Sequence, residues 1–283
     1  MTRAGDRAVD SNDYQYQSTD VGVIQGWVGI GNNKSGHHLT LRNTVIEQQI
    51  YRKKYVVAVD SNLFLYANTN NPLHYLRYSF NGVFPNTGIY CDDSVDPTRW
   101  QKISKDLGIS LKDYKINGNH ILLCLQRNGG WSMADYDVQE WALSTIKEIR
   151  KFSDRPIIIR GHPGDKAARE YLDPRSPKCR LKNLSNVSFS NFERSLLQDL
   201  TGAWAVVNHN SSPVVGAAIE GYPIFVTDPI KSQCREIANT DLSMIETPNR
   251  PERQSWAERL AMFHWNFDEL KSGECWQHMR NYL

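Results

Sequence analysis

Residues 203–226 read AWAVVNHNSSPVVGAAIEGYPIFV, and this stretch decides the fold class of the chain. The apolar run 204–207 predicts a buried strand, and residues 224–226 predict a second one. Between them, the Ser-Ser-Pro sequence at 211–213 predicts a helix start, with a hydroxyl cap followed by a proline that needs no amide partner. The result is a strand-turn-helix-strand unit of a parallel sheet. Its helix N-terminus carries free amides and a positive dipole end, which suit a phosphate group.

The same alternation of strands and helices runs through most of the chain, and it predicts an α/β fold. Predicted strands cover 21–24, 55–59, part of 75–84, 120–125, 156–159 and 187–189, and predicted helices cover 38–52, 97–107, 135–152 and 195–200. Because the turn residues 117–119 separate two such series, we expect two Rossmann-like domains, 1–117 and 118–250. Residues 251–283 have apolar residues at helical spacing and are expected to form a tail that crosses back to the first domain.

The composition points to a globular protein in a reducing compartment. With 283 residues, 40% of them hydrophobic and 23% charged, the chain has material for one large domain or two ordinary ones. Its net charge of +2 gives no general affinity for nucleic acid, so such binding needs a local patch. The five cysteines form no CxxC pair, which indicates reduced thiols and no zinc site. The sequence shows neither an apolar leader nor a run of roughly 20 apolar residues, and we expect a cytoplasmic protein without a membrane span.

Polar residues follow three predicted strands, at the place where parallel sheets bind ligands. The motifs are Arg160-Gly161-His162-Pro163, the glycine-bearing segment 126–132 with Arg127, and Ser211-Ser212. Arginine offers a planar fork for phosphate, histidine is a further donor, and paired glycines allow close approach of the backbone. Each motif alone has a plainer interpretation, as a surface turn, a strand-to-helix turn or a helix cap. Together they predict a nucleotide diphosphate site, with Glu220 as either its ribose ligand or a solvated helix residue.

The first half offers candidates for a general base. Asp60 ends the second predicted strand, where a carboxylate is able to accept the proton of an attacking hydroxyl, although aspartate is also a common turn cap. His37 and His38 follow the glycine-rich stretch 26–36 and compete for the same role. The chain contains no GxSxG, HExxH or Walker sequence, and the acidic pair at 92–93 is interpreted as a surface turn. We therefore expect no metal and no bound cofactor.

The second half resembles the GT-B superfamily of nucleotide-sugar glycosyltransferases. RGHP at 160–163 is similar to the R/K-x-HP loop of capsule-type transferases, and residues 209–226 are similar to their S-S-x-x-x-E-A-x-x-x-G-x-P-V/I-F segment, apart from the spacing of the acid. The resemblance implies two Rossmann-like domains facing across a cleft, and an enzyme that uses a nucleotide sugar, expected to be UDP-linked, without a metal ion. By match, the donor-site residues are Arg160, His162, Ser211, Ser212 and Glu220, to which the strand-end loop adds Arg127.

A second resemblance concerns the acceptor. Residues 36–42 and the segment LHYLRYSFNGVFP at 73–85 are similar in style to transferases encoded by tailed bacteriophages. This implies double-stranded DNA as a partner, with a 5-hydroxymethylpyrimidine such as 5-hydroxymethylcytosine as the acceptor, and the host cytoplasm as the location. A flipped base needs a basic, aromatic rim, for which Lys53, Arg77 and Trp100 are candidates. Their plainer interpretation is a solvated helix end and core aromatics.

Two alternatives stay open beside the DNA acceptor. The same transfer chemistry fits a surface polysaccharide or a lipid-linked glycan, and the near-neutral net charge favours this alternative. A non-catalytic nucleotide-binding module is the third hypothesis, because the sequence does not single out one catalytic base.

Overall fold

The structure is a computed structural model that describes residues 1–9, 15–27, 37–66, 71–133 and 136–283, without the side chain of Trp131. Most of the predicted loop 26–36 and the first residue of the predicted helix 135–152 lie outside the described residues. In chain order the elements are β1 (Val21–Gln25), α1 (His37–Tyr51), β2 (Tyr55–Asp60), β3 (Leu76–Phe80), α2 (Pro97–Leu107), β4 (His120–Cys124), α3 (Val138–Ile149), β5 (Ile157–Arg160), α4 (Ala168–Tyr171), β6 (Val187–Phe189), α5 (Leu196–Leu200), β7 (Ala203–Asn208), α6 (Pro213–Ile219), β8 (Ile224–Val226), α7 (Gln254–Ala261), β9 (His264–Trp265), α8 (Phe267–Ser272) and α9 (Glu274–Arg280).

The chain forms two compact units. The first consists of residues 1–62, 70–108 and 257–283, and the second consists of residues 63–69 and 109–256. The second unit therefore starts ahead of the turn at 117–119. A short piece of chain from the connection between β2 and β3 belongs to the second unit, and the helices α8 and α9 belong to the first.

The second unit contains a five-stranded parallel sheet in the order β6-β5-β4-β7-β8. All five side chains of the central strand β4 are buried, as expected for a strand covered on both faces. Its core joins Ile121 and Leu123 of β4 to Trp141 and Ile146 of α3 and to Val207 of β7. This unit confirms the α/β class predicted from the sequence.

The first unit contains a four-stranded sheet in the order β1-β2-β3-β9, and only its β1–β2 pair is parallel. The pattern of strands and helices had predicted parallel pairing throughout. In its described residues, 61–66 and 71–75, the connection from β2 to β3 contains no helix, so β3 returns antiparallel. The two-residue strand β9 was not predicted, because it lies within a helical pattern and exists only through pairing with β3.

Two apolar clusters cover the two faces of the first sheet. Ile24 and Val56 pack with Ile46 of α1 on one face. Val57, whose side chain points to the opposite face, packs in a cluster that includes Trp276 of α9. The C-terminal helices thus complete the first unit's core. No helix in the described parts of the chain has the length and apolar character that a membrane crossing needs.

Local signals in the sequence placed several elements correctly. Asp96 caps α2, accepting from the amide of Thr98 at 2.9 Å, and Gly108 ends the helix in the left-handed conformation at φ 65°.

The five cysteines are free and buried, and burial raises the pKa of the Cys124 thiol to about 12.

Candidate functional site

Three loops meet at the carboxyl edge of the second sheet. In the register of the sheet, Cys124 at the end of β4 is paired with Arg160 on β5 and with Asn208 on β7. Because these three strands are parallel neighbours, the loops that follow them start side by side. The motifs at 126–132, 160–163 and 209–212 therefore lie at one edge, which we call the strand-end site.

A buried amide pair joins the loops after β4 and β7. Gln126 Nε2 donates to Asn210 Oδ1 at 2.8 Å, and Gln126 Oε1 accepts from the Asn210 amide at 3.1 Å. Gln126 also donates to Ser132 Oγ at 2.9 Å, and Asn210 Nδ2 donates to Asp228 Oδ2 at 2.9 Å. Both amide side chains are at least 95% buried, so each bond satisfies a group that has no access to water.

A buried carboxylate joins the loops after β4 and β5. Asp165 Oδ2 accepts from the Asn128 amide at 2.9 Å and from Tyr171 Oη at 2.7 Å. Burial and the bond to Asp165 raise the pKa of Tyr171, so its hydroxyl stays protonated and continues to donate. Asp165 was not among the predicted site residues, since an aspartate after Pro163-Gly164 has the local pattern of an ordinary turn residue.

His162 is a neutral hydrogen-bond donor at this site. Its Nδ1 accepts from the Gly164 amide at 3.0 Å, which leaves the ring proton on Nε2. Burial lowers the pKa of His162; the positive charges of Arg127 and Arg160 act in the same direction, while Asp165 opposes them. Both arginines are therefore close enough to His162 for their charges to act on it.

The two arginines have different surroundings. Arg160 Nη1 forms a salt bridge with Asp199, a buried residue of α5, and donates to the Arg194 carbonyl at 3.0 Å. Asp199 also accepts from Arg194 Nε at 2.7 Å. Arg160 therefore anchors α5 to the end of β5, a role that the sequence did not predict. The exposed side chain of Arg127 forms no ion pair with any residue that the structure describes.

The serine pair lies where the sequence placed it but does not form the predicted cap. Ser212 is the N-cap of α6 and makes no side-chain capping bond. Its φ of −61° and ψ of −28° are helical, whereas a capping hydroxyl requires extended backbone at that position. Ser211 Oγ accepts from Asn208 Nδ2 at 2.9 Å. Pro213 begins the helix as predicted.

Glu220 is not at the strand-end site. It is the C-cap of α6, eight residues after the N-cap Ser212, so it lies about 12 Å further along the helix. Its carboxylate accepts from Tyr66 Oη at 3.0 Å. In the resemblance pattern the acid stands four places after the second serine and five before the glycine, and both counts give Gly216 in this chain.

Aromatic and polar side chains lie beyond the ends of β7 and β8. Trp141 Nε1 donates to Thr227 Oγ1 at 2.9 Å, and His209 Nδ1 lies 2.8 Å from the same oxygen. The rings of Trp141 and His209 are 5.8 Å apart, and burial lowers the pKa of His209. This group joins α3 to the loop that contains His209 and Ser211. Among the described residues, no three His, Cys, Asp or Glu side chains are grouped as metal ligands would be.

The candidates for a catalytic base lie in the first unit. Asp60, at the end of β2, forms a 2.5 Å ion pair with its cross-strand neighbour Arg77, and Asp60 Oδ1 accepts from the Ser61 amide at 2.7 Å. His37 is the exposed first residue of α1. Because α1 connects two parallel strands, its start lies at the same carboxyl edge of the sheet as Asp60.

The predicted basic and aromatic rim is not formed by the residues proposed for it. Trp100 is 5% exposed and Arg77 is 8% exposed, so both belong to the interior of the first unit. Trp100 is buried because it lies on the apolar face of the amphipathic helix α2, and Arg77 because it pairs with Asp60 within the sheet. Lys53 is exposed, in the turn between α1 and β2 at φ 55°. The plainer interpretation as a core aromatic is therefore correct for Trp100, whereas Arg77 is a buried strand residue, which neither interpretation predicted.

Two solved structures from Thermosulfurimonas dismutans share the architecture of this chain. KpsC, beta Kdo 2,4 transferase, matches with a TM-score of 0.50 and 12% identity, over 86% of this chain and 84% of that one. KpsC, beta Kdo 2,7 transferase, matches with a TM-score of 0.53 and 12% identity, over 93% of this chain and 85% of that one. No protein-family model and no curated protein sequence matches the chain. The likeness concerns the fold, and it confirms the α/β class with Rossmann-like sheets of GT-B type.

Proposed function

We propose that this protein is a glycosyltransferase that moves a sugar from a nucleotide sugar to a hydroxyl group of a saccharide acceptor. The observation that carries the proposal is the construction of the strand-end site. Buried bonds from Gln126 and Asp165 hold three loops together. Arg127 on one of these loops has no ion-pair partner among the described residues. Its charge acts on the neutral donor His162 on the next loop. Such a site suits the phosphate groups of a nucleotide.

The transfer requires one bond to break and one to form. The acceptor oxygen bonds to the anomeric carbon of the sugar while the bond from that carbon to the donor phosphate breaks. The electron pair of the broken bond stays on the phosphate oxygen, where Arg127 and the Nε2 proton of His162 would stabilise the charge. The acceptor's proton goes to a general base. Asp60 is the proposed base, with His37 as the competing residue.

A saccharide acceptor has better support than DNA. The two similar structures are named as Kdo transferases, and two of the three rim residues proposed for DNA are buried. The donor nucleotide is left open by these observations, so a UDP-linked donor stays a prediction from the resemblance. The cytoplasm, where nucleotide sugars are made, is the proposed location.

The proposal is tested with a panel of nucleotide sugars, including a nucleotide-linked Kdo, and with two acceptor classes. One class is a set of oligosaccharides and the other is 5-hydroxymethylcytosine DNA, with products identified by mass. Transfer to an oligosaccharide is the expected result. Transfer to DNA alone would overturn the saccharide acceptor, and nucleotide binding without any transfer would favour the non-catalytic module.

The double variant Ser211→Ala/Ser212→Ala and a chelator complete the test. We expect the double variant to abolish donor turnover with little loss of folding. Ser212 makes no capping bond, and Asn208, which donates to Ser211 Oγ, also donates to the Ser211 carbonyl, which the variant keeps. Normal turnover in this variant would remove the serines from the donor site. We also propose that the transfer is independent of metal and survives EDTA, since Arg127 supplies a positive charge and the neutral His162 supplies a hydrogen-bond donor. Loss of activity in EDTA, restored by a divalent cation, would contradict that proposal.

A further inference from the structure

Tyr66 packs directly on the backbone of α6 at Gly216. A Cβ atom added to Gly216 would lie 2.3 Å from Tyr66 Cγ and 2.5 Å from Tyr66 Cβ, which no side chain permits. Glycine is disfavoured inside a helix, so its presence here is explained by the room that the tyrosine needs. Both residues belong to the second unit, which includes residues 63–69.

The ring of Tyr66 occupies the space that the side chain of residue 216 would take. In the Ser-Ser…Gly-x-Pro pattern, position 216 belongs to the acid, and this chain has glycine there. The nearest acid along the helix is Glu220, and Tyr66 Oη donates to its Oε1 at 3.0 Å. Tyr66 thus reaches from position 216, where the pattern has an acid, to Glu220, one helical turn further on.

We propose that Tyr66 recognises the ribose of the donor nucleotide, and this inference rests on the proposed function. Its phenolic oxygen donates its proton to Glu220 and uses its remaining lone pairs to accept a hydrogen bond from a ribose hydroxyl. Glu220 is then a positioning residue that fixes the direction of the phenolic proton. In this arrangement Glu220 acts on the ribose only through Tyr66, without the direct contact predicted from the sequence.

Three properties of the pair support this role. Tyr66 is only half-buried, so the residue is not closed off from solvent. Burial and the negative charge of Glu220 raise the pKa of Tyr66, so the phenol stays protonated in neutral solution and keeps donating to the carboxylate. A hydroxyl that donates to a carboxylate is a better acceptor, because hydrogen bonds in a chain polarise one another.

The test measures nucleotide binding by calorimetry, using the 5′-diphosphates of uridine, cytidine, adenosine and guanosine with their 2′-deoxy and 3′-deoxy forms. We expect the wild type to bind one ribonucleotide about 3–10-fold more tightly than one of its deoxy forms. Tyr66→Phe keeps the ring on Gly216 and should bring that ratio close to one. Glu220→Ala should do the same, whereas Glu220→Gln, which still offers an oxygen to the phenol, should keep part of the preference.

Tyr222→Phe is the matched control, because Tyr222 is also half-exposed and lies close enough to Glu220 for its pKa to be raised in part by that charge. Thermal unfolding of each variant checks that the fold is kept. A ribose preference that survives in both Tyr66→Phe and Glu220→Ala would overturn the inference and leave the proposed function standing. Equal binding of ribose and deoxy forms by the wild type would also overturn it. Absence of binding by every nucleotide would overturn the donor site itself.

Discussion

Gln126 and Asn210 hold each other by two hydrogen bonds, at 2.8 and 3.1 Å, although 84 residues separate them in the chain. The pair fixes the loop after β4 to the loop after β7, and it does so without exposure to water. Its removal should therefore affect both the stability of the fold and the affinity for the donor.

We expect Gln126→Leu to lower the free energy of unfolding by about 1–3 kcal/mol, because the buried amide groups of Asn210 lose their partners. Urea titration measures this loss, and the same protein should bind the donor nucleotide more weakly. Gln101→Leu, at an exposed position of α2, is the control and should change neither quantity. Equal effects of the two substitutions would show that the amide pair does not stabilise the site.

Asp199→Ala should be among the most destabilising single changes in the second unit. It leaves the charges of Arg160 and Arg194 without their shared carboxylate, whose side chain is 1% exposed. Loss of one partner of a buried ion pair costs about 3–5 kcal/mol. Chemical denaturation provides the measurement. Asp173→Ala removes the half-exposed partner of the exposed Arg175 and should have little effect. Similar unfolding midpoints for the two variants would contradict the prediction for Asp199.

Arg127→Ala should weaken donor binding without loss of stability. The side chain is exposed, so its removal should change the free energy of unfolding by less than about 0.5 kcal/mol. A charge-assisted bond to phosphate contributes about 1.5–3 kcal/mol, which corresponds to roughly 10–150-fold in affinity. Calorimetric titration with the nucleotide tests this, with the exposed Arg175→Ala as control. Unchanged affinity would exclude Arg127 from the donor site.

His162 should make stability dependent on pH in a defined direction. Because burial lowers its pKa below the ordinary 6.5, the unfolded chain binds more protons than the folded protein as pH falls below that value. Protonation of His162 has no effect on the free energy of unfolding at higher pH. It lowers that free energy as the pH falls from about 6.5 toward the pKa of His162 in the folded protein. The free energy of unfolding of His162→Gln should therefore fall less than that of the wild type between pH 7 and pH 5. Urea titrations at a series of pH values measure it. His38→Gln, at an exposed position, should follow the wild type, and parallel curves for all three would contradict this prediction.

Asp60→Asn tests the proposed base. A general base contributes about 10²–10⁴-fold to rate, so kcat should fall by that order while donor affinity is kept. Because the change also weakens the pair with the buried Arg77, the variant's thermal unfolding must be recorded beside its rate. Asp20→Asn, which affects an exposed pair with Lys54, is the control. An unchanged kcat would transfer the role to His37 or His38.

Most of the local elements, and the edge of the sheet at which the motifs meet, could be predicted from the sequence. Strand periodicity, the Asp96 cap and the Gly108 stop are set by residues close together in the chain, and Ser211–Pro213 marked the start of α6 in the same way. Their convergence followed from one general property of parallel sheets, that the loops after neighbouring strands share an edge.

The partners of the side chains near that edge could be found only from the folded structure. The contacts of Arg160 with Asp199, of Gln126 with Asn210, and of Tyr66 with Glu220 join residues 39, 84 and 154 positions apart. They depend on the strand order β6-β5-β4-β7-β8 and on the chain segment 63–69 joining the second unit. The local sequence shows where an arginine or an acid is. Which residue forms an ion pair or a hydrogen bond with it depends on packing between distant segments. For this reason the salt bridge of Arg160 with Asp199 and the hydrogen bond of Tyr66 with Glu220 were not predicted. The predicted donor-site roles of Arg160, Arg127 and His162 stay proposals.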